Sequence, residues 1–279
     1  MDNRIVLLGG RGMLGTEIAE LFSDARIKIC DLPDFDITNE NQLSSVLIDC
    51  DIVINCSAFT DVEKAESQRN MAFKVNVEAV GSLAKIARKK NIYVIHISTD
   101  FVFDGNKKDA YTETDLPNPI NVYGQSKLAG EKLLAQYHNF YSIIRLQWTY
   151  GKNGNNFISK LISLLKHKDS LKVVDDQFGS PTATKEAARV IKEFVVRKPV
   201  GLFHYAAMGK ASRYEVAQFA FEKLKIKTKL VACKTNEFKT AAQRPLNSCF
   251  CCDKIQAVLT GPIEHWQKPL ERFLGTASV

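Results

Sequence analysis

The sequence predicts an α/β fold class, a doubly wound parallel sheet followed by a smaller C-terminal α/β lobe. Through the first 150 residues, short apolar segments alternate with segments of helical periodicity, which is typical of repeated strand–helix–strand units. A glycine-rich turn at residues 9–15 follows the first apolar segment and precedes the first helical one. Strand, glycine turn and helix in this order indicate a Rossmann-type domain.

The elements of the first half follow from their periodicity. Five short runs rich in Val, Ile and Leu are predicted to form strands: residues 4–8, 27–30, 51–55, 93–98 and 141–146. Four segments with apolar residues at helical spacing are predicted to form helices: residues 14–22, 41–47, 67–89 and 125–137.

The second half is less regular and is predicted to form the smaller lobe. Its predicted helices cover residues 157–167, 184–196, 214–224 and 266–273, and its predicted strands cover residues 172–174 and 201–205. We expect residues 1–150 to form the Rossmann domain, with about 180–200 packing back on it. Residues 151–279 are then mainly the lobe. The turn-rich stretch 104–121 is expected to be a functional loop.

The composition argues against several classes of function. No apolar run reaches the ~18 residues of a membrane-spanning helix, and the N-terminus lacks the pattern of a secretory signal. A cytoplasmic protein that binds no membrane is therefore expected. The net charge of +7 comes without the interleaved aromatic residues of a nucleic-acid-binding surface. Instead, it indicates either a solvated basic surface or a mild field that attracts an anionic small molecule such as a nucleotide diphosphate. Seven cysteines without zinc-finger spacing predict reduced thiols and no metal.

The glycine turn predicts the site of a dinucleotide cofactor. Gly9, Gly12 and Gly15 lie three residues apart, where the backbone must turn tightly and approach a pyrophosphate closely. Met13 and Leu14 open the following helix, whose free N–H groups face such phosphates.

Further cofactor contacts are expected after the second and third strands. Asp31 follows the second strand and is expected to hold the adenosine ribose, which favours NADH because a carboxylate repels a 2′-phosphate. Arg11 leaves NADPH open, since a guanidinium binds phosphate well. The other expected contacts are Asp36 and Ile37 beside the adenine, and Cys56, Ser57 and Ala58 where the cofactor backbone passes.

Tyr123 and Lys127 are the predicted catalytic pair. They are four residues apart, so a helix places them on one face. A nearby ammonium and a positive nicotinamide ring are both expected to lower the pKa of the phenol, which can then exchange a proton with a carbonyl oxygen. Thr99 is expected to help hold that oxygen, with Ser98 as the alternative, because both end a strand at the ligand-binding edge of the sheet.

Together these patterns resemble the extended short-chain dehydrogenase/reductases, almost from end to end. The most specific markers are the Thr-Asp-x-Val-Phe run at 99–103 and the Asp-Gln-x-Gly-x-Pro-Thr run at 176–182. The resemblance implies an oxidoreductase of nucleotide-sugar and polysaccharide biosynthesis. Such an enzyme uses NADH or NADPH to reduce the 4-keto group of a nucleotide-linked 6-deoxysugar, giving dTDP-L-rhamnose.

Carried over by position, the resemblance implies roles for individual residues. Thr99, Tyr123 and Lys127 would be catalytic, and Asn76 would contact the cofactor. The sugar pocket would be lined by Thr60, Val62, Thr99, Asp100 and Trp148. Trp148 is expected to offer an apolar face to a sugar that lacks its 6-hydroxyl, and Arg244 is expected to grip the diphosphate.

Three features of the sequence leave alternatives open. Phe101 and Gln147 depart from the family pattern and put the identity of the sugar in doubt.

Glu17 is a possible counterpart of a magnesium ligand at a dimer contact. Because the sequence lacks a full set of such ligands, we predict no metal. A homodimer is possible. The alternative functions are a nucleotide-sugar epimerase and a non-catalytic partner resembling the regulatory subunit of methionine adenosyltransferase. Retention of Thr99, Tyr123 and Lys127 argues against the latter.

Overall fold

The computed structural model describes residues 3–23, 27–164 and 169–276. Its strands are β1 (Ile5–Leu8), β2 (Ile27–Cys30), β3 (Ile52–Asn55), β4 (Tyr93–Thr99), β5 (Tyr141–Leu146), β6 (Thr149–Tyr150), β7 (Ser170–Val174), β8 (Phe178–Gly179), β9 (Thr182–Ala183), β10 (Gly201–Tyr205), β11 (Ala211–Ser212) and β12 (Lys229–Cys233). Its α-helices are α1 (Met13–Leu21), α2 (Glu40–Val46), α3 (Val62–Ser67), α4 (Arg69–Phe73), α5 (Ala79–Lys90), α6 (Val122–Tyr137), α7 (Phe157–Leu164), α8 (Thr184–Arg197), α9 (Arg213–Lys223), α10 (Asp253–Gln256) and α11 (Gln267–Thr276).

Six strands form one parallel sheet in the order β10-β5-β4-β3-β1-β2. From β1 the chain crosses to β2, which pairs with one edge of β1. It then returns to β3, which pairs with the other edge of β1. The order therefore reverses between β1 and β3, and ligands of doubly wound sheets bind at such a switch point, beyond the carboxyl ends of the strands. The predicted fold class is confirmed.

Both faces of the sheet are buried along its inner strands, which explains why β1 and β3 read as apolar runs, whereas the edge strand β2 is partly exposed. Ile5 and Leu7 of β1 face the layer that contains α1 and α8, whereas Val6 and Leu8 face the layer that contains α2 and α5. A separate apolar cluster, built mostly from residues after 150, forms the core of the smaller lobe. In this lobe β7 pairs with β12 in parallel.

The structure differs from the predicted elements in a few places. The single helix expected at 67–89 is divided into α4, a π-helical turn at Lys74–Glu78 and α5. Strand β10 joins the main sheet, so the segment that packs back on the first domain extends beyond residue 200. Helix α7 is described as far as Leu164, and the predicted continuation at 165–167 lies outside the described residues.

Candidate active site

The glycine turn packs against the loop that follows β3, and this contact explains its composition. Gly9 has a positive φ of 75°, and a Cβ there would lie 2.6 Å from the Ser57 amide nitrogen. A Cβ on Gly15 would collide with the Gly9 carbonyl oxygen. Gly12 is the N-cap of α1, and no side chain in the described part of the chain caps this end. The free N–H groups in the first turn of α1 are therefore available to a phosphate.

The two residues that open α1 are placed differently. Met13 lies against Gly151, and its sulfur is 3.7 Å from Asn156 Nδ2, at the junction between the glycine turn and the lobe. Leu14 is only 9% exposed and packs in the core beside the sheet. Contact between Leu14 and a cofactor is therefore limited to the backbone.

The turn after β2 brings a carboxylate and a guanidinium side by side. Asp31 accepts hydrogen bonds from the backbone N–H groups of Arg11 (2.7 Å) and Leu32 (2.8 Å). The Arg11 guanidinium donates to the Leu32 carbonyl at 2.6 Å and pairs with Asp34 at 2.5 Å. A carboxylate that favours NADH and a guanidinium that favours NADPH therefore lie side by side.

The predicted adenine contacts are only partly accessible. Asp36 is exposed, and its carboxylate accepts a hydrogen bond from the Thr38 N–H at 2.9 Å. Ile37 is 6% exposed and belongs to the core on the α5 side of the sheet. The Ile37 side chain is thus structural, and only its backbone is left for the cofactor.

The loop of Cys56, Ser57 and Ala58 is half-buried above β3, as a passage for the cofactor requires. Asn55 holds it from below by accepting the Ser57 N–H at 3.1 Å. Asn76, predicted as a cofactor contact, is 1% exposed. Its side-chain oxygen accepts the Phe59 N–H at 2.8 Å. Its side-chain nitrogen donates to the Phe59 carbonyl at 3.1 Å and to the Ser126 hydroxyl at 2.9 Å. Asn76 therefore supports the loop instead of facing the cofactor.

Tyr123 and Lys127 lie on the first turns of α6. Asn121 caps the helix by accepting the Gly124 N–H at 2.8 Å, so α6 begins earlier than the sequence predicted. Lys127 is 2% exposed, and its ammonium donates to the Ile97 carbonyl of β4 at 2.7 Å. The pair is thus fixed above the carboxyl end of β4.

Thr99 ends β4 next to the phenol. Its hydroxyl donates to Asp100 Oδ1 at 3.1 Å, and its side chain also interacts with Tyr123. The pKa of Tyr123 is raised to about 12, mainly by burial and in small part by Asp100, whereas the Thr99 hydroxyl opposes this change. Burial lowers the pKa of Lys127 to about 8. The predicted lowering of the phenol pKa by Lys127 is absent from this ligand-free chain, because desolvation dominates. The phenol therefore keeps its proton, as a proton donor should.

Trp148 follows β5 with a positive φ of 42°, an uncommon conformation for a large side chain that is concentrated at functional sites. A Cβ on Gly179 would lie 2.5 Å from the indole ring, so only glycine fits beneath it. The Arg213 guanidinium carbon lies 3.5 Å from the ring centroid. Gly179 and Arg213 therefore both pack closely on the indole, and the predicted role of Trp148 as an apolar surface for a sugar stays a prediction.

Arg213 lies against Trp148 and is not among the residues predicted from the sequence. Besides Trp148, its guanidinium lies 4.9 Å from the ring of Phe157. No ion pair or side-chain hydrogen bond binds it within the described residues, although Asp100 is near enough to influence its charge. Burial lowers the pKa of Arg213 to about 9. A half-buried guanidinium with unused donors suits an anionic or hydroxyl-rich ligand. Its only sequence signal is one arginine among many.

Arg244 is placed differently from the prediction that it grips a diphosphate. Its guanidinium forms an ion pair with Glu63 at 2.6 Å. Glu63 also accepts the N–H groups of Ala241 (2.7 Å) and Ala242 (3.2 Å), so it ties the C-terminal segment to the start of α3. The predicted sugar contacts beside this junction are Thr60, which is exposed, and Val62, which is half-buried and opens α3.

The two departures from the family pattern have different consequences. Gln147 is fully buried: its amide nitrogen binds the carbonyl and the hydroxyl of Ser248, and its oxygen accepts the Ser180 N–H at 2.8 Å. It joins two loops and does not face a sugar. Phe101 lies edge-on to Tyr123, with ring centroids 5.7 Å apart. Of these two departures, only Phe101 therefore affects the site.

The described residues show neither a metal-binding cluster nor a membrane-spanning helix. Within 3–23, 27–164 and 169–276, no group of three or more His, Cys, Asp or Glu side chains is arranged to hold a metal ion. Burial raises the pKa of Glu17, the predicted counterpart of a magnesium ligand. No helix in the described ranges has both the length and the apolar character needed to cross a membrane.

Comparison with known proteins places this site in context. The family model described as the RmlD substrate binding domain matches residues 3–279. The dTDP-4-dehydrorhamnose reductase of Aggregatibacter actinomycetemcomitans is 35% identical over 287 residues, covering 97% of this chain and 98% of that protein.

Solved structures give the same result. A dTDP-4-dehydrorhamnose reductase from Bacillus anthracis, in complex with NADP, superposes with a TM-score of 0.95 at 34% identity, covering 99% of this chain and 100% of that one. The Clostridium acetobutylicum reductase of the same name superposes with a TM-score of 0.92 at 36% identity, covering 97% and 98% of the two chains.

Proposed function

Because this chain belongs to the RmlD substrate binding domain family, we propose that it reduces the 4-keto group of dTDP-4-dehydro-L-rhamnose to give dTDP-L-rhamnose, with NADH or NADPH as reductant. It is an oxidoreductase, like the relatives it matches over almost its whole length. The observation that carries the proposal is the Tyr123 phenol beside Thr99, on the α6 face that also carries the buried ammonium of Lys127, at the switch-point edge of the sheet.

The residues present fit a dinucleotide cofactor. The cradle that a Cβ would fill at Gly9, and the uncapped first turn of α1, suit a pyrophosphate. Asp31 and Arg11 would hold the adenosine end, and the loop at 56–58 would border the path toward Lys127. When bound, NAD(P)H supplies a hydride to the carbonyl carbon. We favour NADH because the Arg11 guanidinium is already engaged by Asp34.

Tyr123 then supplies the proton. As the carbonyl oxygen gains negative charge, Tyr123 Oη transfers its proton to that oxygen, and solvent later restores the proton to the phenolate. Thr99 turns its single O–H proton, which in this structure goes to Asp100 Oδ1, to the same oxygen and orients it. The Lys127 ammonium stabilises the phenolate electrostatically, since a cation near a phenolate favours the charged form.

Arg213, Trp148 and Asp100 are proposed to bind the nucleotide-diphosphate sugar. Arg213 directs unused donors into the cleft and takes the role expected of Arg244. The Asp100 carboxylate, which is 2% exposed, can accept a hydrogen bond from a sugar hydroxyl. Thr60 and Val62 border the same cleft. We also propose that residues 1–150 carry mainly the cofactor and residues 151–279 mainly the substrate.

A cytoplasmic location belongs to the proposal as well. All seven cysteines are free thiols, which supports a reducing compartment. Assembly as a homodimer stays a prediction from the family resemblance.

The proposal is tested by offering dTDP-, GDP-, UDP- and CDP-linked 4-keto-6-deoxysugars with NADH and NADPH. We expect oxidation of NAD(P)H in proportion to product, with the dTDP sugar preferred. Product formed without net consumption of NAD(P)H would contradict reduction and favour an epimerase. No turnover of any sugar, together with co-purification of a methionine adenosyltransferase, would favour a regulatory subunit.

A further inference from the structure

Three neighbouring strands carry a buried polar residue at the same level of the sheet. Ser98 of β4 is in register with Arg145 of β5, which is in register with His204 of β10. Their exposed fractions are 5%, 2% and 0%. Polar groups in such a layer cost free energy unless they bind one another, so the row requires a physical reason.

The carboxylate of Glu131, on α6, accepts hydrogen bonds from two members of this row, Arg145 and Ser98. Its carboxylate accepts a bidentate pair of hydrogen bonds from Arg145, at 2.9 Å from Nε and 2.6 Å from Nη2, and a third from the Ser98 hydroxyl. Arg145 Nη1 donates to His204 Nε2 at 3.3 Å, so His204 Nδ1 carries the proton and donates to the Tyr111 carbonyl at 3.1 Å. The Glu131 carboxylate is thus held in one orientation.

Glu131 follows Lys127 by one turn of α6, so the two side chains are neighbours on one helix face. The Lys127 ammonium binds the carbonyl of Ile97, and the Glu131 carboxylate binds the next residue along β4, Ser98. Helix and strand are therefore joined at two successive positions directly beneath the proposed catalytic pair.

Glu131 is also the anion that faces Lys127. The other titratable groups around the ammonium are His96 of β4, Cys56 of the loop after β3, and Tyr123 of α6. Burial lowers the pKa of His96 well below its ordinary range and raises the pKa values of Cys56 and Tyr123 to about 12, so all three are neutral near pH 7. Burial lowers the pKa of Lys127, and Glu131 opposes that decrease.

We propose that Glu131, held by Arg145 and Ser98, is a positioning residue that keeps the Lys127 ammonium in place and in its charged form. The proposal rests on the proposed function only in assuming that Lys127 serves the reaction. Its electrostatic part concerns Lys127 itself and can be measured without turnover.

The test removes the carboxylate without changing its shape. Glu131→Gln leaves Arg145 buried without its anion, so the double variant Glu131→Gln/Arg145→Met, which lacks both charges, is measured beside it. Glu271→Gln removes a carboxylate that is 55% exposed and serves as the control.

Two readouts are compared in each folded variant. One is the alkaline midpoint of the pH profile of kcat/KM. The other is the titration midpoint of Lys127 from NMR of ¹³C-labelled lysine side chains, with the resonance assigned by Lys127→Met. In the wild type we expect both midpoints at about 8.

Loss of the Glu131 carboxylate should lower both midpoints by about 1 pH unit, because a nearby opposite charge favours the charged form of a buried group. Activity should then recover as the pH is lowered and Lys127 regains its proton. Glu271→Gln should leave both midpoints unchanged.

A Lys127 midpoint in the double variant equal to that of the wild type would overturn the proposal. So would a wild-type midpoint near 10.5, the ordinary value for lysine, because no desolvated ammonium would then need an anion. If the wild type reduces no sugar nucleotide, the proposed function fails, and the NMR titration still decides the electrostatic role of Glu131.

Discussion

Asp100, the residue after β4, is a buried carboxylate at the proposed sugar site. It is 2% exposed, and its Oδ2 has no hydrogen-bond partner within the described residues. Burial raises the pKa of Asp100 to about 6, although Ser248, Arg213 and Thr99 each favour the charged form. A carboxylate whose pKa is raised on folding destabilises the folded state once it ionises. The site therefore retains an acid that weakens the fold at neutral pH.

Asp100→Asn should stabilise the folded protein at neutral pH. The folded pKa of about 6 lies above the unfolded one, so the cost of this group is absent below pH ~4, develops as the pH rises and is complete above the folded value. Urea unfolding near pH 7.5 should give a free energy of unfolding about 1–3 kcal/mol higher than wild type, and near pH 4 no gain.

The control for this prediction is Asp109→Asn, since Asp109 is exposed. It should be neutral at both pH values. A destabilised Asp100→Asn at neutral pH would mean that the carboxylate is a structural ion-pair partner, contrary to the account. Substrate affinity of Asp100→Asn should fall even as its stability rises.

At the residue scale, spacing predicted what lies close in sequence. Tyr123 and Lys127 share a helix face, and Gly9 lies at a close backbone approach, because each follows from local geometry. Arg213 and the pairing of Arg244 with Glu63 could not be predicted, since their partners come from distant segments. Burial of the phenol reversed the expected direction of the Tyr123 pKa because desolvation depends on the whole fold.

At the scale of elements, strands β1 and β3 were predictable because burial on both faces makes them apolar runs, and β2, β4 and β5 because each is a short segment rich in isoleucine or valine. Strand β12 (Lys229–Cys233) was not, since it is only partly buried and begins with a lysine. The predicted helix at 67–89 contains the π-helical turn at Lys74–Glu78, which directs Asn76 toward Phe59 and Ser126. Such turns recur at functional sites, yet no periodicity reveals them.

The contact between β8 and the turn after β5 can be tested by Gly179→Ala. The added methyl group would lie 2.5 Å from the Trp148 ring, so the indole and Arg213 must shift. We expect KM for the nucleotide sugar to rise about tenfold or more, because a displacement of ~1 Å in a binding site is costly. Kd for NADH, measured by fluorescence titration, should not change.

Gly261→Ala is the matched control, since a Cβ there meets nothing within 4 Å. It should leave KM and stability at the wild-type values. An unchanged KM in folded Gly179→Ala would show that the Trp148–Arg213 stack does not contact the substrate.

At the scale of the whole molecule, the late segment of the chain is attached to the sheet side of the cleft. Glu63 at α3 binds Ala241, Ala242 and Arg244, and Asn121 donates to the Gln243 carbonyl at 2.8 Å. These contacts join the proposed substrate half to the half that carries Tyr123. Composition and periodicity predict neither contact, because each joins residues more than 100 positions apart.

Glu63→Ala should therefore loosen substrate binding without affecting the cofactor. Loss of charge-assisted hydrogen bonds worth about 1.5–3 kcal/mol should raise KM for the nucleotide sugar about tenfold. Kd for NADH should stay within about twofold of wild type, since the glycine turn is remote. Glu222→Ala, on an exposed position of α9, is the control and should match wild type.

The most direct test of the central claim, that Tyr123 donates the proton, is the turnover of Tyr123→Phe with NADH and the preferred sugar nucleotide. The account predicts that kcat falls by about 10²–10⁴-fold, the amount typical of lost acid–base catalysis, while Kd for NADH stays nearly unchanged. A kcat within about threefold of wild type would contradict it, because the proton would then come from another group.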